Sequence, residues 1–310
     1  ATLVSALAIW AGVGPDAEIT VEANPESLSH SLVELLAMAG VTRVSLGVQS
    51  FDDGELALLG RLHDGQRAQE AARWVAEAGL ELGVDIMCGL PGQPMTSWRE
   101  TLVRAVETGA GHISVYPLSL EGGTPLAAAV LIGDVPEPDD DLVADMLLEA
   151  ENLLGEAGLA RYEVANYARP GLESRHNTAY WTGAEYLGVG PGAHGMLDAR
   201  TARAAGFVVP GESARVRYSV ACEIPGGLTM MPRVDVESLG AAEAAREDAM
   251  LGLRMVRGID DALAAQAGVV GVLAELARDG LVTHEAGRWS TTPRGWLLGN
   301  EVCGRVWAGE

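Results

Sequence analysis

Short apolar strands alternate with amphipathic or alanine-rich helices along residues 19–116, and this alternation is the strongest constraint on the fold. The strand patterns cover residues 19–23, 44–48, 82–87 and 112–116. The helical patterns between them end at three glycines, Gly40, Gly79 and Gly109. Glycine is favoured just past a helix end because it adopts a positive φ without a Cβ clash. Repeated strand–helix units favour parallel strands covered by helices, so the sequence predicts an α/β fold with a partial parallel (β/α) barrel.

Polar residues mark the predicted helix starts. Ser27 is expected to cap the helix after the first strand, and Ser97 with Glu100 forms a capping box for the helix after the third. An apolar helical pattern over residues 3–11 precedes the first strand. Because an open sheet edge needs a covering partner, we expect one or more strands to precede Ala1 in the complete protein.

The pattern changes after residue 125, which predicts three segments. Residues 1–125 form the partial barrel, and residues 126–232 form a central segment that completes the ligand-binding region. This segment has an acidic helix over 142–154 and a loop-rich connection over 210–232. Residues 233–310 are predicted to form a small, mostly helical, winged-helix-like domain, with a hairpin turning at 285–287 and a last helix from residue 292 to about 302.

Charge and cysteine content limit the partners and the cellular location that we expect for this chain. The chain of 310 residues has a formal net charge of −22, which repels phosphate backbones and anionic membrane surfaces, so we expect no nucleic-acid partner. Cys88, Cys222 and Cys303 are too few and too dispersed for a disulfide framework, which favours a reducing, cytoplasmic location. No apolar run reaches the roughly 18 residues of a membrane-spanning helix, so we expect no integral membrane segment.

Three polar residues stand at the ends of successive predicted strands: Glu22, Gln49 and Asp85. In a parallel β/α barrel, functional groups collect at this edge of the sheet. A charged or amide group in an apolar strand needs a partner, and one alternative is that these residues cap turns or pair with an arginine. Two carboxylates and an amide suit ribose hydroxyls and an ammonium group better than phosphate.

A second candidate site is the segment from His176 through Asn177 to Tyr180 and Trp181. Histidine is a common heme-iron ligand, and aromatic walls suit a porphyrin. The alternative is a core loop in which His176 and Asn177 bind backbone groups.

The glycine-rich segment at residues 186–194 follows. A dinucleotide-binding loop is disfavoured there, because Pro191 interrupts it and no helix follows in the required frame. His194, at its end, is either a second heme-side group or a buried structural histidine.

These segments together resemble consecutive blocks of one family. The blocks are residues 22–25 (EANP), 47–51 (GVQSF), 60–63 (GRLH), 85–93 (DIMCGLPGQ) and 176–181 (HNTAYW). They are similar, in this order, to the radical S-adenosylmethionine (radical SAM) family of oxygen-independent coproporphyrinogen III oxidase, which includes heme chaperones. The resemblance implies that the residues on the S-adenosylmethionine side are Glu22, Gln49, Arg61, Asp85, Ala193 and His194. It also implies that the residues on the heme side are His176, as a possible iron ligand, with Asn177, Tyr180 and Trp181.

The sequence departs from the family at its start. Family members carry a CxxxCxxC triad that binds a [4Fe–4S] cluster, and no three cysteines here have that spacing. The cluster is therefore expected only in a longer, full-length protein, and no catalytic residue is assigned. A heme chaperone that delivers heme to unidentified recipient proteins is the favoured function. The alternatives are an oxygen-independent coproporphyrinogen III oxidase, a heme-binding module without a cluster and an unrelated barrel hydrolase.

Overall fold

The computed structural model describes residue 6 and residues 12–14, 16–221 and 233–309. It divides into two compact units, one ending at Arg175 and the other beginning at His176. The predicted boundaries at residues 125 and 232 stay predictions. Of the predicted helix over residues 3–11, only residue 6 is described.

The first unit alternates strands and helices, as predicted. Its strands are β1 (Thr20–Ala23), β2 (Arg43–Gln49), β3 (Glu81–Cys88), β4 (His112–Pro117), β5 (Ala160–Arg161) and β6 (Asn166–Ala168). Its helices are α1 (His30–Met38), α2 (Asp53–Leu58), α3 (Gly65–Glu77), α4 (Met95–Glu107), α5 (Pro125–Leu131) and α6 (Asp140–Glu156), and a 3-10 turn covers Pro25–Ser27.

One six-stranded sheet organises this unit, in the order β1-β2-β3-β4-β6-β5. The first four strands are parallel, which confirms the predicted α/β class. The sheet continues with β6, which is antiparallel to β4, and with β5, which is antiparallel to β6. These last two strands were not predicted, because strands of two or three residues are too short to show a repeating pattern.

The two faces of the sheet differ in chemistry, because successive side chains of a strand point to opposite faces. One face carries Leu46, Val84 and Ile113, all fully buried in the core together with helical residues from α3, α4 and α6. Trp98 of α4 is also fully buried, and its indole N–H donates to the Met146 carbonyl of α6 at 2.8 Å. The other face carries most of the polar strand residues and forms the candidate site described below.

Two predicted helix starts are wrong by a few residues. The N-cap of α1 is Ser29, whose hydroxyl accepts from the Leu32 N–H, because Ser27 closes the preceding 3-10 turn. The helix α4 begins after Pro94, so Ser97 lies within its first turn rather than at its cap.

The second unit contains two small sheets with helices. Its strands are β7 (His194–Asp198), β8 (Arg215–Val220), β9 (Val234–Leu239), β10 (Ile259–Asp260), β11 (Val282–Glu285) and β12 (Arg288–Thr291). Its helices are α7 (Arg175–Trp181, whose first residue belongs to the first unit), α8 (Ala199–Ala204), α9 (Ala241–Gly252), α10 (Asp261–Gln266), α11 (Val270–Arg278), α12 (Pro293–Leu297) and α13 (Gly299–Ala308).

The C-terminal part of this unit has the predicted winged-helix-like arrangement. The hairpin of β11 and β12 pairs with β10 in one sheet, next to the packed helices α9, α11 and α13. The predicted last helix is in fact two helices, α12 and α13, which meet at Leu298.

The prediction of a loop-rich connection over residues 210–232 is wrong at Arg215–Val220, which form the strand β8. This strand is the centre of the sheet β7-β8-β9, and its Val216, Tyr218 and Val220 point into a small core. The intervening Arg215 and Arg217 point to the opposite face, where carboxylates neutralise them. The alternation of apolar and charged residues is therefore a strand signal here. Among the described residues, no helix is long and apolar enough to cross a membrane.

Folding of the first unit is expected to be acid-sensitive because of His112, at the start of β4. Its ring is buried, with Nε2 2.9 Å from the Tyr162 hydroxyl, and burial together with the nearby Arg43 guanidinium lowers the pKa of His112 to about 4. The unfolded chain, with an ordinary histidine pKa, therefore binds a proton that the folded chain does not, and stability falls as pH drops from about 6.5 towards 4.

The His112 contribution is about 3 kcal/mol of unfolding free energy, fully present above pH 6.5 and lost by pH 4. Urea unfolding between pH 7 and pH 4 measures it. His112→Gln, which keeps an amide near the Tyr162 hydroxyl, should flatten this pH dependence, and an equally steep dependence in the variant would contradict the assignment.

Candidate functional site

A row of polar side chains crosses the polar face of the first unit's sheet. Glu22 of β1 lies opposite Ser45 of β2, and Asp85 of β3 lies opposite Ser114 of β4. The Ser45 hydroxyl donates to the Asp85 carboxylate, with its two oxygens at 3.2 and 3.1 Å. Asp85 is therefore held by a hydroxyl from each neighbouring strand, since Ser114 also hydrogen-bonds to it.

The electrostatics of this row centre on Asp85. Burial raises the pKa of Asp85 above its ordinary value, the hydroxyls of Ser114 and Ser45 oppose that rise, and the neighbouring Glu22 carboxylate adds to it. Burial, with the Asp85 carboxylate next in effect, also raises the pKa of Tyr116 to about 12. Two carboxylates close enough to affect each other favour a cationic or hydroxyl-bearing ligand.

Gln49 lies at the end of β2 in an unusual backbone conformation. Its φ is +66°, and the pairing of β2 with β3 shifts register between Gly47 and Gln49. Such a conformation in a non-glycine residue is often found at functional sites. A Cβ added at Gly47 would lie 2.9 Å from the Gln49 amide nitrogen and 3.1 Å from the Asn24 side-chain oxygen. Glycine at this position therefore leaves room for both amides at the strand ends.

Arg61 lies beside Asn24 at the strand ends. Its Nη1 donates to the Asn24 side-chain oxygen at 3.2 Å. The structure therefore brings Asn24, Gln49 and Arg61 together, and it brings Glu22 and Asp85 together on the same sheet. Asn24 belongs to one of the segments that resemble the family, but it was not predicted as a site residue, because an asparagine before a proline is typical of a turn.

Glu55 of α2 connects the loops that follow β2 and β3. It was not among the site residues predicted from the sequence. Its carboxylate accepts from the Ser50 hydroxyl at 2.5 Å, the Gln93 amide at 3.0 Å and the Ser97 hydroxyl at 2.6 Å. These bonds tie the loop after Gln49 to the turn after β3 and to α4. The only sequence signal was a carboxylate on a short helix beside two family blocks, which is too common to be specific.

Buried His63 ties further segments together. Its Nδ1 lies 2.8 Å from the Glu26 carboxylate, and its Nε2 lies 3.1 Å from the Val48 carbonyl. The turn after β1 is thereby connected to the end of β2, next to Gln49. The conformation of the strand ends is therefore supported by buried polar contacts rather than by the strands alone.

In the second unit, three aromatic rings form a continuous row. His176 and Tyr180 lie four residues apart on α7, with ring centroids 4.6 Å apart at 79°. Tyr180 in turn meets Tyr186, with centroids 4.5 Å apart at 77°. Both contacts have the edge-to-face geometry that aromatic rings favour. Tyr186 was not predicted as a site residue, although it opens the glycine-rich segment.

The other two predicted heme-side residues lie on a different stripe of α7. Asn177 and Trp181 are also four residues apart, and Trp181 follows His176 by five positions, which places the two rings on different sides of the helix. The Arg254 guanidinium lies 5.6 Å from the Trp181 ring centroid. Trp181 also lines a cavity of about 360 Å³ with Met255 and Arg288. Its assignment to heme stays a prediction.

The glycine-rich segment closes against the small sheet. Backbone bonds join Tyr186 and Met196 in both directions, at 2.9 and 3.0 Å. The Tyr218 hydroxyl accepts from the Gly188 N–H at 2.9 Å and lies 3.2 Å from the Gly188 carbonyl. Ala193 packs against the small core, and His194, the first residue of β7, is exposed. Their predicted contact with S-adenosylmethionine stays a prediction.

The described cysteines do not fit a [4Fe–4S] cluster. Cys88 is buried in the first unit, and burial raises its pKa to about 12. Cys303 is buried in the second unit, where burial also raises its pKa and its thiol donates to the Met250 carbonyl at 3.8 Å. Cys222 lies outside the described residues. Within the described ranges, no group of three histidine, cysteine, aspartate or glutamate residues is arranged to hold a metal.

Two family models match the chain. The model of the Radical SAM superfamily matches residues 3–105, and the model of the HemN C-terminal domain matches residues 239–298.

Curated relatives extend the match to most of the chain. The heme chaperone HemW of Mycobacterium tuberculosis is 38% identical over 291 residues, which cover 94% of this chain and 72% of that protein. HemW of Bacillus subtilis is 33% identical, over 93% of this chain and 75% of that protein. The chain belongs to the HemW family of radical SAM proteins.

Other comparisons of this HemW-family chain agree on the fold. The mitochondrial radical S-adenosyl methionine domain-containing protein 1 of Mus musculus is 44% identical over 201 residues, but that match spans 45% of its length and 64% of this chain. Among solved structures, the coproporphyrinogen III oxidase HemN of Escherichia coli superposes with a TM-score of 0.73. It is 22% identical and covers 94% of this chain and 70% of that chain, so the likeness concerns the fold alone.

Proposed function

We propose that this chain binds heme and S-adenosylmethionine and acts as a heme chaperone that passes heme to a recipient protein. The observation that carries this proposal is the row His176–Tyr180–Tyr186, an exposed imidazole beside two edge-to-face tyrosines. Imidazole nitrogen binds heme iron, and aromatic rings pack against porphyrin. The HemW name of the bacterial relatives supports the same function.

The polar face of the first sheet supports the S-adenosylmethionine part of the proposal. Asp85 and Glu22 would bind hydroxyl or ammonium groups, and Gln49 and Arg61 would bind the polar groups of the same molecule from the strand ends. In radical SAM proteins, S-adenosylmethionine supplies a 5′-deoxyadenosyl radical when a reduced [4Fe–4S] cluster cleaves it. The described cysteines do not fit that cluster, so the proposed role of these residues is to bind and orient the ligand.

The described residues support the oxidase alternative less well than the heme chaperone. The fold likeness to HemN is shared by both functions and does not separate them. In this proposal the aromatic row would supply an iron ligand, which an enzyme acting on a metal-free porphyrinogen does not require. A module that binds heme without a cluster is compatible with the same row. The cytoplasmic location and the identity of heme recipients stay predictions.

Heme titration tests the proposal. The protein should develop a Soret band that saturates with heme, and His176→Ala should weaken heme binding at least about tenfold, which corresponds to about 1.4 kcal/mol. His30→Ala is the matched control, because His30 is an exposed histidine on α1 in the first unit. Equal heme affinity in His176→Ala and in the wild type would remove His176 from the ligand set, and no saturable Soret band in the wild type would reject the function.

A further inference from the structure

The polar face of the first unit's sheet extends beyond β4. Ser114 of β4 pairs directly with Asn166 of β6, and residues opposite each other in an antiparallel pair point to the same face. Asn166 therefore continues the polar row to which Asp85 and Ser114 belong. Ile113 and Tyr167, the neighbouring pair on the same two strands, point to the apolar face and are buried in the core.

Glu163, in the segment between β5 and β6, supplies a carboxylate next to Asn166. Its side chain is fully buried, and the Asn166 amide donates to it. Its Oε2 accepts from the Ala165 N–H at 3.2 Å. Burial raises the pKa of Glu163, although these hydrogen bonds oppose the rise. Glu163 and Asn166 therefore form one hydrogen-bonded pair at the β6 end of the polar row.

Each side chain of this pair has one buried oxygen without a hydrogen-bond partner in the described part of the chain. The two atoms are Oε1 of Glu163 and Oδ1 of Asn166, in residues that are 0% and 4% exposed. Leaving a buried oxygen unpaired is costly, and such groups are rare in native structures. Terminal carboxylate and amide torsions are broad, so small rotations can turn both oxygens towards a ligand. Since both are acceptors, the partner that they lack is a group with N–H or O–H donors.

The polar face is accessible beside this pair. Tyr116, two residues after Ser114 on β4, is 42% exposed. Burial has the largest effect in raising the pKa of Tyr116, and three carboxylates add to the rise: those of Asp85, Glu163 and Glu22. Because Glu163 acts on the same phenol as the other two carboxylates, it belongs to the same polar face.

The order of the strands indicates which part of a ligand reaches this end of the row. Arg61 contacts Asn24 just after β1, and Gln49 ends β2. A guanidinium suits a carboxylate group. In the sheet, β6 is three strands from β2, which is roughly 14 Å at about 4.8 Å per strand. Since the carboxylate and the adenine stand at opposite ends of S-adenosylmethionine, a molecule whose carboxylate lies at Arg61 extends its nucleoside end towards β6.

We propose that Glu163 and Asn166 are further ligand-binding residues of the polar face and accept hydrogen bonds from the nucleoside end of S-adenosylmethionine. This inference rests on the proposed S-adenosylmethionine binding and adds two residues from a segment outside the blocks that resemble the family. The nucleoside offers the required donors in its ribose hydroxyls and its adenine amino group.

Calorimetric titration with S-adenosylmethionine and with 5′-methylthioadenosine, which keeps the nucleoside but lacks the amino-acid part, tests this assignment. Glu163→Gln replaces one acceptor oxygen by an amide nitrogen at nearly equal size. We expect it to weaken the binding of both ligands about tenfold. The matched control is Glu77→Gln, which should leave both affinities unchanged, because Glu77 is an exposed carboxylate on α3, the helix that packs on the apolar face.

Two analogues of 5′-methylthioadenosine identify the donor group. 5′-Methylthioinosine has a carbonyl in place of the adenine amino group, and the 2′,3′-dideoxy analogue lacks the ribose hydroxyls. The analogue that lacks the group bound by Glu163 should bind the wild type more weakly and should lose little further affinity in Glu163→Gln. If Glu163→Gln weakens both analogues as much as it weakens the parent compound, Glu163 contacts neither group and the inference is wrong.

Amide hydrogen exchange of the wild type gives a test that needs no variant. Binding of 5′-methylthioadenosine should increase the protection of the Ala165 amide, because that amide donates to the Glu163 carboxylate. Unchanged protection at Ala165 in the saturated complex would contradict the inference.

The outcomes separate this inference from the proposed function. If the wild type binds S-adenosylmethionine and Glu163→Gln binds it equally well, the inference is wrong, while the proposed function stands. A loss for S-adenosylmethionine without a loss for 5′-methylthioadenosine rejects the nucleoside assignment. If the wild type does not bind S-adenosylmethionine, that part of the proposed function fails, and the inference fails with it.

Discussion

Trp98→Ala is expected to unfold the first unit under conditions in which the wild-type chain is folded. Trp98 is fully buried between α4 and the sheet, and its indole N–H donates to the Met146 carbonyl of α6 at 2.8 Å. Truncating a buried tryptophan to alanine removes its apolar contacts and its N–H bond to the Met146 carbonyl and leaves a cavity, at a cost of about 3–5 kcal/mol. That is a large share of the stability of a typical domain.

Urea unfolding followed by far-ultraviolet circular dichroism measures the effect of Trp98→Ala. The companion variant Trp98→Phe keeps one buried aromatic ring but loses the N–H bond and part of the indole volume, so it should cost less, about 1–2 kcal/mol. The difference between the two variants measures how much stability the remaining buried ring contributes. A loss below about 1 kcal/mol in Trp98→Ala would show that α4 and α6 do not depend on this contact.

Gly188→Ala is expected to detach the glycine-rich segment from the small sheet. A Cβ at this position would lie 2.0 Å from the His194 carbonyl oxygen and 2.8 Å from its backbone nitrogen. Neither atom can rotate away, because both belong to the backbone. The overlap should cost about 2–3 kcal/mol and break the paired backbone bonds between Tyr186 and Met196.

Amide hydrogen exchange measures this second effect, because the Tyr186 and Met196 amides should lose protection. Heme affinity should fall as well, since Tyr186 would no longer be held beside Tyr180. Gly211→Ala is the control: no atom lies within 4 Å of a Cβ added there. Unchanged protection at Tyr186 in Gly188→Ala would show that the segment tolerates a side chain.

Much of the fold follows from local patterns in the sequence. The parallel strands and their helices were predicted because each strand is four to eight residues long and is separated from the next by a helix. Helix ends were predictable at Gly40, where φ is +88°. Helix starts were less predictable, since Ser27 and Ser29 have the same capping chemistry and only the 3-10 turn decides between them.

The candidate sites were predictable in part. Glu22, Gln49, Arg61 and Asp85 were identified by strand position and family resemblance, and the structure groups them at one polar face and its strand ends. The residues that hold them, such as Ser45 and Glu55, were missed. Their contacts join residues about 40 positions apart, and no local pattern encodes such a distance. Tyr186 was missed for a similar reason, because its role depends on a ring from another element.

The division of the first sheet into an apolar and a polar face has a practical consequence for engineering. Along β2, β3 and β4, Leu46, Val84 and Ile113 are buried in the core, whereas Ser45 and Asp85 lie on the face that we propose binds a ligand. A library that randomises only the polar positions would therefore vary ligand preference on a scaffold whose core packing is unchanged.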